Sequence, residues 1–205
     1  MAPSIDFYFD FVSPYSYIGL HRLPELSSPV VLKPVLFAGL LNHWGQKGPA
    51  EIPAKRKWTY RSCIWEAQKL GLPFRFPARH PFNPLPHLRL ALACDCRPEA
   101  VKRIFEFVWT SGEDAADATR FASLCSELGT DPAGRPEVKD LLRKNTDEAI
   151  ARCVFGVPSY FIDGEVFWGA DSVEFANAFL ADPKTVRNAE MRRVDDLPAG
   201  ATRAK

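Results

Sequence analysis

Asp10-Phe11-Val12-Ser13-Pro14-Tyr15-Ser16-Tyr17 is the stretch on which the fold of this chain turns. Ahead of it, Ile5, Phe7 and Phe9 alternate with Asp6, Tyr8 and Asp10, the period-two pattern of a half-buried strand. Behind it, Ile18, Leu20, Leu23 and Leu26 recur at roughly helical spacing. Ser13 stands where a helix N-cap belongs, and Pro14 suits the first helical position. The expected unit is a strand, a sharp turn and a helix whose positive end sits at the C-terminal edge of a sheet. Such an end favours an anion or a thiolate beside the Ser13 hydroxyl, although a Ser-Pro pair also serves as a plain cap.

The surrounding composition narrows the function classes. With 26 Lys and Arg against 25 Asp and Glu, the net charge of +1 leaves no electrostatic footprint for nucleic acid or an anionic membrane. No apolar run is long enough to span a membrane, and Met1 to Asp6 lack the basic and apolar regions of a signal peptide. The expected compartment is the cytoplasm. Five cysteines, an odd number placed mostly in helical patterns, fit free thiols in a reducing environment. Neither they nor the four histidines show metal-ligand spacing, so no metal is expected.

Along the chain, Val30 to Phe37 reads as a second strand, with Pro34 marking an edge or a bulge. Ala38 to Pro53 reads as an irregular surface loop and a candidate ligand lid. A helix runs from Pro53 to about Leu70, stopped by Gly71. The loop from Pro73 to Pro86 is dense in proline and aromatics, and either lines an apolar pocket or packs its own rings onto the domain. Helical patterns follow over 86–94, 98–110, 117–128 and 137–153. Strand texture returns at Ser159–Asp163 and Glu165–Trp168 around a tight Asp163-Gly164 turn, followed by a helix from Ser172 to Leu180. The polar tail, residues 183–205, is expected to fray.

The order is a βαβ half, a helical insertion, and a ββα half that begins with a connecting helix over about 137–153. That is an α/β thioredoxin-like fold with a large all-helical insertion. The expected domains are a discontinuous thioredoxin-like unit, residues 1–37 and 154–182, and an insertion with binding loops over 38–136. Ser13 and Ser16 have the spacing of a Cys-X-X-Cys motif, and Gly156-Val157-Pro158-Ser159 stands where this fold places a cis-proline.

Together, Asp10 to Tyr17, Phe155 to Pro158 and Trp168-Gly169-Ala170-Asp171 resemble the 2-hydroxychromene-2-carboxylate isomerases. These are grouped with kappa-class glutathione transferases in the DsbA-like branch of the thioredoxin superfamily. The likeness runs from about residue 4 to residue 181 and takes in Lys47, Pro53 with Lys55, and Asn145 to Glu148. It implies glutathione as cofactor, with Ser13 hydrogen-bonding its sulfur, Val157 and Pro158 offering a backbone edge, and Asp171 holding the γ-glutamyl ammonium beside Ala170 and Ser172. It also implies Lys55 near the glycyl carboxylate, and Gln46 where kappa-class enzymes carry an asparagine.

The implied reaction is cis–trans isomerisation of an aromatic, conjugated 2-oxo acid by transient thiolate addition, in an apolar pocket drawn from Phe82, Asn83 and Trp168. Lys47 or Asn83 is the candidate for the substrate carboxylate. The expected partners are this small aromatic substrate and a second copy in a homodimer. Glutathione conjugation or peroxide reduction would use the same thiolate, and a non-catalytic thioredoxin-like binding module is the reading from another class. Dithiol–disulfide exchange is disfavoured, because serines occupy both cysteine positions.

Overall fold

β1 (Ile5–Phe9) lies inside a four-stranded sheet of order β2-β1-β3-β4 in the computed structural model, which describes residues 3–132 and 135–201. It pairs in parallel with β2 (Val30–Pro34), with Phe7 opposite Leu32, and antiparallel with β3 (Ser159–Ile162), with Phe7 opposite Tyr160. β3 turns through Asp163 (φ 47°) and Gly164 (φ 89°) into β4 (Glu165–Trp168). Positive φ at both central residues is the two-residue hairpin turn that Asp-Gly favours.

α1 (Pro14–Arg22) connects β1 to β2. Between β2 and β3 lie α2 (Phe37–His43), α3 (Pro53–Lys69), α4 (Leu85–Ala93), α5 (Pro98–Trp109), α6 (Ala118–Glu127) and α7 (Glu137–Ala151). α8 (Val173–Ala181) follows β4. The family-level expectation of a thioredoxin-like α/β fold with helices between its two halves agrees with this order.

β1 is not half-buried. Ile5, Phe7 and Phe9 face the main core, but Tyr8 and Asp10 on the opposite face are also fully enclosed. The second face is covered by α2 and α7, which pack Leu40 and Ala149 around Tyr8, joined by Val154 just beyond the end of α7. A strand paired on both edges and covered on both faces buries even its polar positions. Asp6, the remaining one, meets Arg152 in an ion pair at 2.5 Å.

The main core runs without a break from the sheet into the insertion. Phe9, Phe11 and Tyr17 pack with Leu88, Ile104, Phe105, Val108 and Trp109 of α4 and α5. Phe11 and Phe105 have ring centroids 4.5 Å apart. Each such ring contributes about 1.5–3 kcal/mol by burial, so the seam between the two parts is among the most strongly held regions of the molecule.

Two expectations need correction. The segment read as a loop after β2 begins with α2, because Phe37 N–H at its first turn is received by a carboxylate oxygen of Asp10 at 2.9 Å. That tertiary cap is invisible in the local pattern of Gly39 and Asn42. The tail, expected to fray, forms α9 (Lys184–Arg187) and α10 (Ala189–Asp195) as far as the described residues go. Arg187 anchors it to the carbonyl of Asp163 at 2.7 Å, and Asn188 caps α10 through Met191 N–H. Residues 202–205 of that tail lie outside the described residues.

Candidate active site

Ser13 caps α1. Its backbone is extended (φ −90°, ψ 114°), its Oγ accepts from Ser16 N–H at 3.2 Å, and Pro14 opens the helix. Ser13 is only 6% exposed. The hydroxyl donates towards the Val157 carbonyl at 3.4 Å, a long bond that leaves it free to turn to a better acceptor. Both partners are backbone groups, and among the described residues no base is hydrogen-bonded to the Ser13 hydroxyl to strip its proton. It is therefore built as a donor at a helix N-terminus and not as a nucleophile.

The opposite wall is the chain before β3. The Val157-Pro158 bond is cis, as expected from its place ahead of the hairpin in a thioredoxin-like order, and Val157 lies ahead of Ser159, the first residue of β3 that pairs with β1. Gly156 is needed here because a Cβ would fall 2.6 Å from Nε1 of Trp168. Trp168 itself is 55% exposed and leans on Phe155, with ring centroids 5.2 Å apart.

A cleft of about 680 Å³ opens between these elements. Its walls carry Val157, Pro158, Trp168, Ala170 and Asp171, so the structure brings together the sequence-identified residues of the C-terminal half. Ser172 turns its hydroxyl to the Gly169 carbonyl at 2.8 Å and closes the turn that displays Asp171. Ser13 is not itself among the lining residues, and its hydroxyl meets the cleft wall only through the Val157 carbonyl.

Other wall residues had no sequence signal as site residues: Tyr15 and Arg22 of α1, Glu25, and Glu66 and Lys69 of α3. They come from helix ends far apart in sequence, and only the three-residue spacing of Arg22 with Glu25 and of Glu66 with Lys69 links them locally. Arg22 grips Glu25 through two bonds of 3.0 and 2.8 Å and donates to the Ala170 carbonyl at 2.8 Å. It thus holds the Asp171 turn against α1. Burial pushes the Tyr15 phenol above its ordinary value and the Cys63 thiol beside it up to about 12. Cys63 is an inert core thiol.

Gln46, Lys47, Lys55, Phe82 and Asn83 are not among the cleft-lining residues. Gln46, Lys47 and Lys55 are exposed. Phe82 packs edge-on against His87, ring centroids 5.5 Å apart, and the Asn83 side chain accepts from Leu85 N–H at 3.1 Å at the start of α4. The proline-rich loop turns its rings inward: Phe74 stacks on Trp109 at 5.6 Å and Phe76 meets Tyr60 at 4.2 Å. Ser16 is fully buried, as its inward position on α1 predicts.

The family described as "DSBA-like thioredoxin domain" matches residues 4–181. The chain belongs to the DsbA-like thioredoxin family. Within that family it is 30% identical to a 2-hydroxychromene-2-carboxylate isomerase of Sphingobium xenophagum, over 89% of this chain and 100% of the relative. It is 28% identical to glutathione S-transferase kappa 2 of Caenorhabditis elegans, over 87% and 92% respectively. The solved structure of a 2-hydroxychromene-2-carboxylate isomerase superposes with a TM-score of 0.70 at 24% identity, covering 96% of this chain and 100% of that one. Those relatives place this DsbA-like chain with the isomerases and kappa-class transferases, as the three sequence motifs imply. Among its described residues no helix is long and apolar enough to cross a membrane, and no cluster of His, Cys, Asp or Glu is disposed to hold a metal ion.

Proposed function

We propose that this protein is a glutathione-dependent isomerase acting on 2-hydroxychromene-2-carboxylate or a related aromatic 2-oxo acid. The observation that carries the reading is the Ser13 hydroxyl at the start of α1, turned to the carbonyl of Val157, a residue on the wall of a cleft that also displays Asp171. A γ-glutamyl tripeptide fits that donor set: a thiol beside Ser13, a backbone strand along Val157 and Pro158, and an ammonium on Asp171 flanked by Ala170 and Ser172. Bound there, glutathione supplies a thiol that adds to the conjugated double bond and leaves again, so that rotation occurs about a single bond.

The chain's own residues set up that chemistry. Ser13 and the positive end of α1 favour the thiolate over the thiol, whose ordinary pKa is about 8.5. Arg22 keeps the Asp171 turn in place. Lys69 is the lysine on the cleft wall, so we assign a peptide carboxylate to it in preference to Lys55. Trp168 offers its exposed ring to the substrate, a role we prefer for it over the inward-facing Phe82. The proposed setting is the cytoplasm, in keeping with five free cysteines. The proposed assembly is a homodimer, for which exposed Trp58 and Trp65 on α3 offer an apolar surface.

Conjugation of glutathione to an electrophile is the second reading, favoured by the similarity to the kappa-class transferase. Incubating the protein with glutathione and the chromene carboxylate, and following the ultraviolet change, separates the two. The isomerase reading expects turnover that vanishes without glutathione, and turnover of an aryl halide but not the chromene would replace it with the transferase. Asp171→Ala should raise the KM for glutathione about 10–100-fold, the loss of one charge-assisted contact of about 1.5–3 kcal/mol. An unchanged KM would remove Asp171 from the site.

A further inference from the structure

His80 belongs to the proline-rich loop, is not among the cleft-lining residues, and yet reaches the turn that carries Ser13. Its Nε2 lies 2.8 Å from the Val12 carbonyl. A carbonyl only accepts, so Nε2 carries the proton. The other ring nitrogen, Nδ1, is 2.6 Å from the Tyr60 hydroxyl of α3, which also donates to the His80 carbonyl at 2.9 Å. Burial holds the imidazole below its ordinary pKa, so Nδ1 carries no proton, and the single Tyr60 proton, shared between Nδ1 and the His80 carbonyl, selects this tautomer. The rings of Phe76 and Trp109 wall the imidazole at 5.6 and 5.5 Å.

The peptide that His80 grips is the one joining Val12 to Ser13. Its oxygen is held by His80, and its N–H, that of Ser13, donates to the Asp10 carbonyl at 3.0 Å. A planar peptide held at both polar ends cannot rotate. The preceding peptide is held as well, through the Phe11 carbonyl and the Trp109 indole at 3.0 Å, and through Val12 N–H and the Asp10 carboxylate at 3.0 Å. The plane entering Ser13 is therefore fixed, and with it the backbone from which the side chain leaves, while Ser16 N–H holds the Oγ.

We propose that His80 is a positioning residue: by donating to the Val12 carbonyl, in the tautomer that Tyr60 selects, it aims the Ser13 hydroxyl at the reacting sulfur. This rests on the reading of Ser13 as the group that activates a bound thiol. Since sub-ångström misplacement of a reacting group is costly to rate, a freed Val12 carbonyl should lower kcat and leave the Asp171 end of the site intact.

The test compares His80→Phe, His80→Gln and Tyr60→Phe in the full chain, using glutathione and the chromene carboxylate. His80→Phe should lower kcat about tenfold with less than about a twofold change in the KM for glutathione. His80→Gln, whose amide can donate to the same carbonyl, should recover most of that loss. Tyr60→Phe keeps the packing but removes the tautomer-selecting donor, so kcat should fall about threefold or more. Wild-type kcat in His80→Phe, or equal losses in folded Phe and Gln variants, would overturn the proposal. If His80→Phe does not fold, Tyr60→Phe decides, and unchanged kcat there overturns it. Thiolate absorbance of glutathione bound to the wild type separates the two levels. Its absence removes the reading of Ser13 and the inference with it, whereas a thiolate band and kcat both unaltered in the variants sink only the role of His80.

Discussion

Replacing Ser13 by alanine should lower kcat about 10²–10³-fold, the usual cost of losing one preorganised donor to a developing or stored anion. Affinity for glutathione should change by less than about threefold, because the Val157 edge and Asp171 are untouched. The pH profile distinguishes this role from nucleophilic attack. With the donor gone, the thiol keeps only the helix terminus, so the rising limb of kcat should move up towards the pKa of a free thiol, about 8.5. A serine nucleophile would instead leave the variant inactive at every pH. Stopped-flow or steady-state rates across neutral to alkaline pH provide the measurement, and equal rates in both proteins would end the thiol-activation reading. The geometry already argues for a donor, since among the described residues the Ser13 hydroxyl has only Ser16 N–H and the Val157 carbonyl as partners.

A second large effect belongs to Asp10, which is fully enclosed and whose carboxyl is raised from its ordinary value to about 7. Burial is the dominant cause, opposed by the N–H groups of Val12 at 3.0 Å and Phe37 at 2.9 Å. No charged side chain contributes. The folded state therefore holds this proton more tightly than the unfolded chain does. Stability from the neutral carboxyl is fully present below about pH 4, falls as pH rises towards 7, and levels off above it. The expected amplitude is on the order of a few kcal/mol. Asp10→Asn lacks the titration, so denaturant unfolding at a series of pH values should show the difference, wild type minus variant, declining between about pH 4 and 8. Parallel curves for the two proteins would show that Asp10 ionises normally.

How much of this was legible in the sequence depended on whether the cause was local. The Ser13-Pro14 cap and the Asp163-Gly164 turn are dictated by a few adjacent residues, and each was readable, whereas the cis bond before Pro158 was legible only through the order of elements around it. α2 depends on a carboxylate 27 residues upstream, and the Gly and Asn in its seven residues masked it. Tyr8 and Asp10 read as outward-facing because alternation reports residue polarity and cannot report that a second helical layer covers the sheet. The aromatic loop illustrates the same limit. Phe82 and Asn83 carry the right chemistry for a substrate pocket, yet one packs on His87 and the other caps α4. His80, two residues earlier, has a reach to Val12 that spans 68 positions, which no spacing rule anticipates.

The unbroken core has an evolutionary consequence. Because α4 and α5 complete the packing of Phe9 and Phe11, and the loop before them braces the Ser13 turn, the insertion is not a cassette. Exchanging residues 38–136 with those of a relative would import foreign surfaces against β1 and a foreign partner for Val12. Such a chimera should lose thiol activation along with any change in substrate preference, unless the sheet residues facing α5 are exchanged too. Full thiolate formation in a chimera carrying the insertion alone would show that the two parts are interchangeable after all. Diversification of substrate range within this architecture is therefore tied to co-ordinated change on both sides of the seam, and exposed Trp168, on the substrate side of the cleft wall, is the position where preference can shift singly.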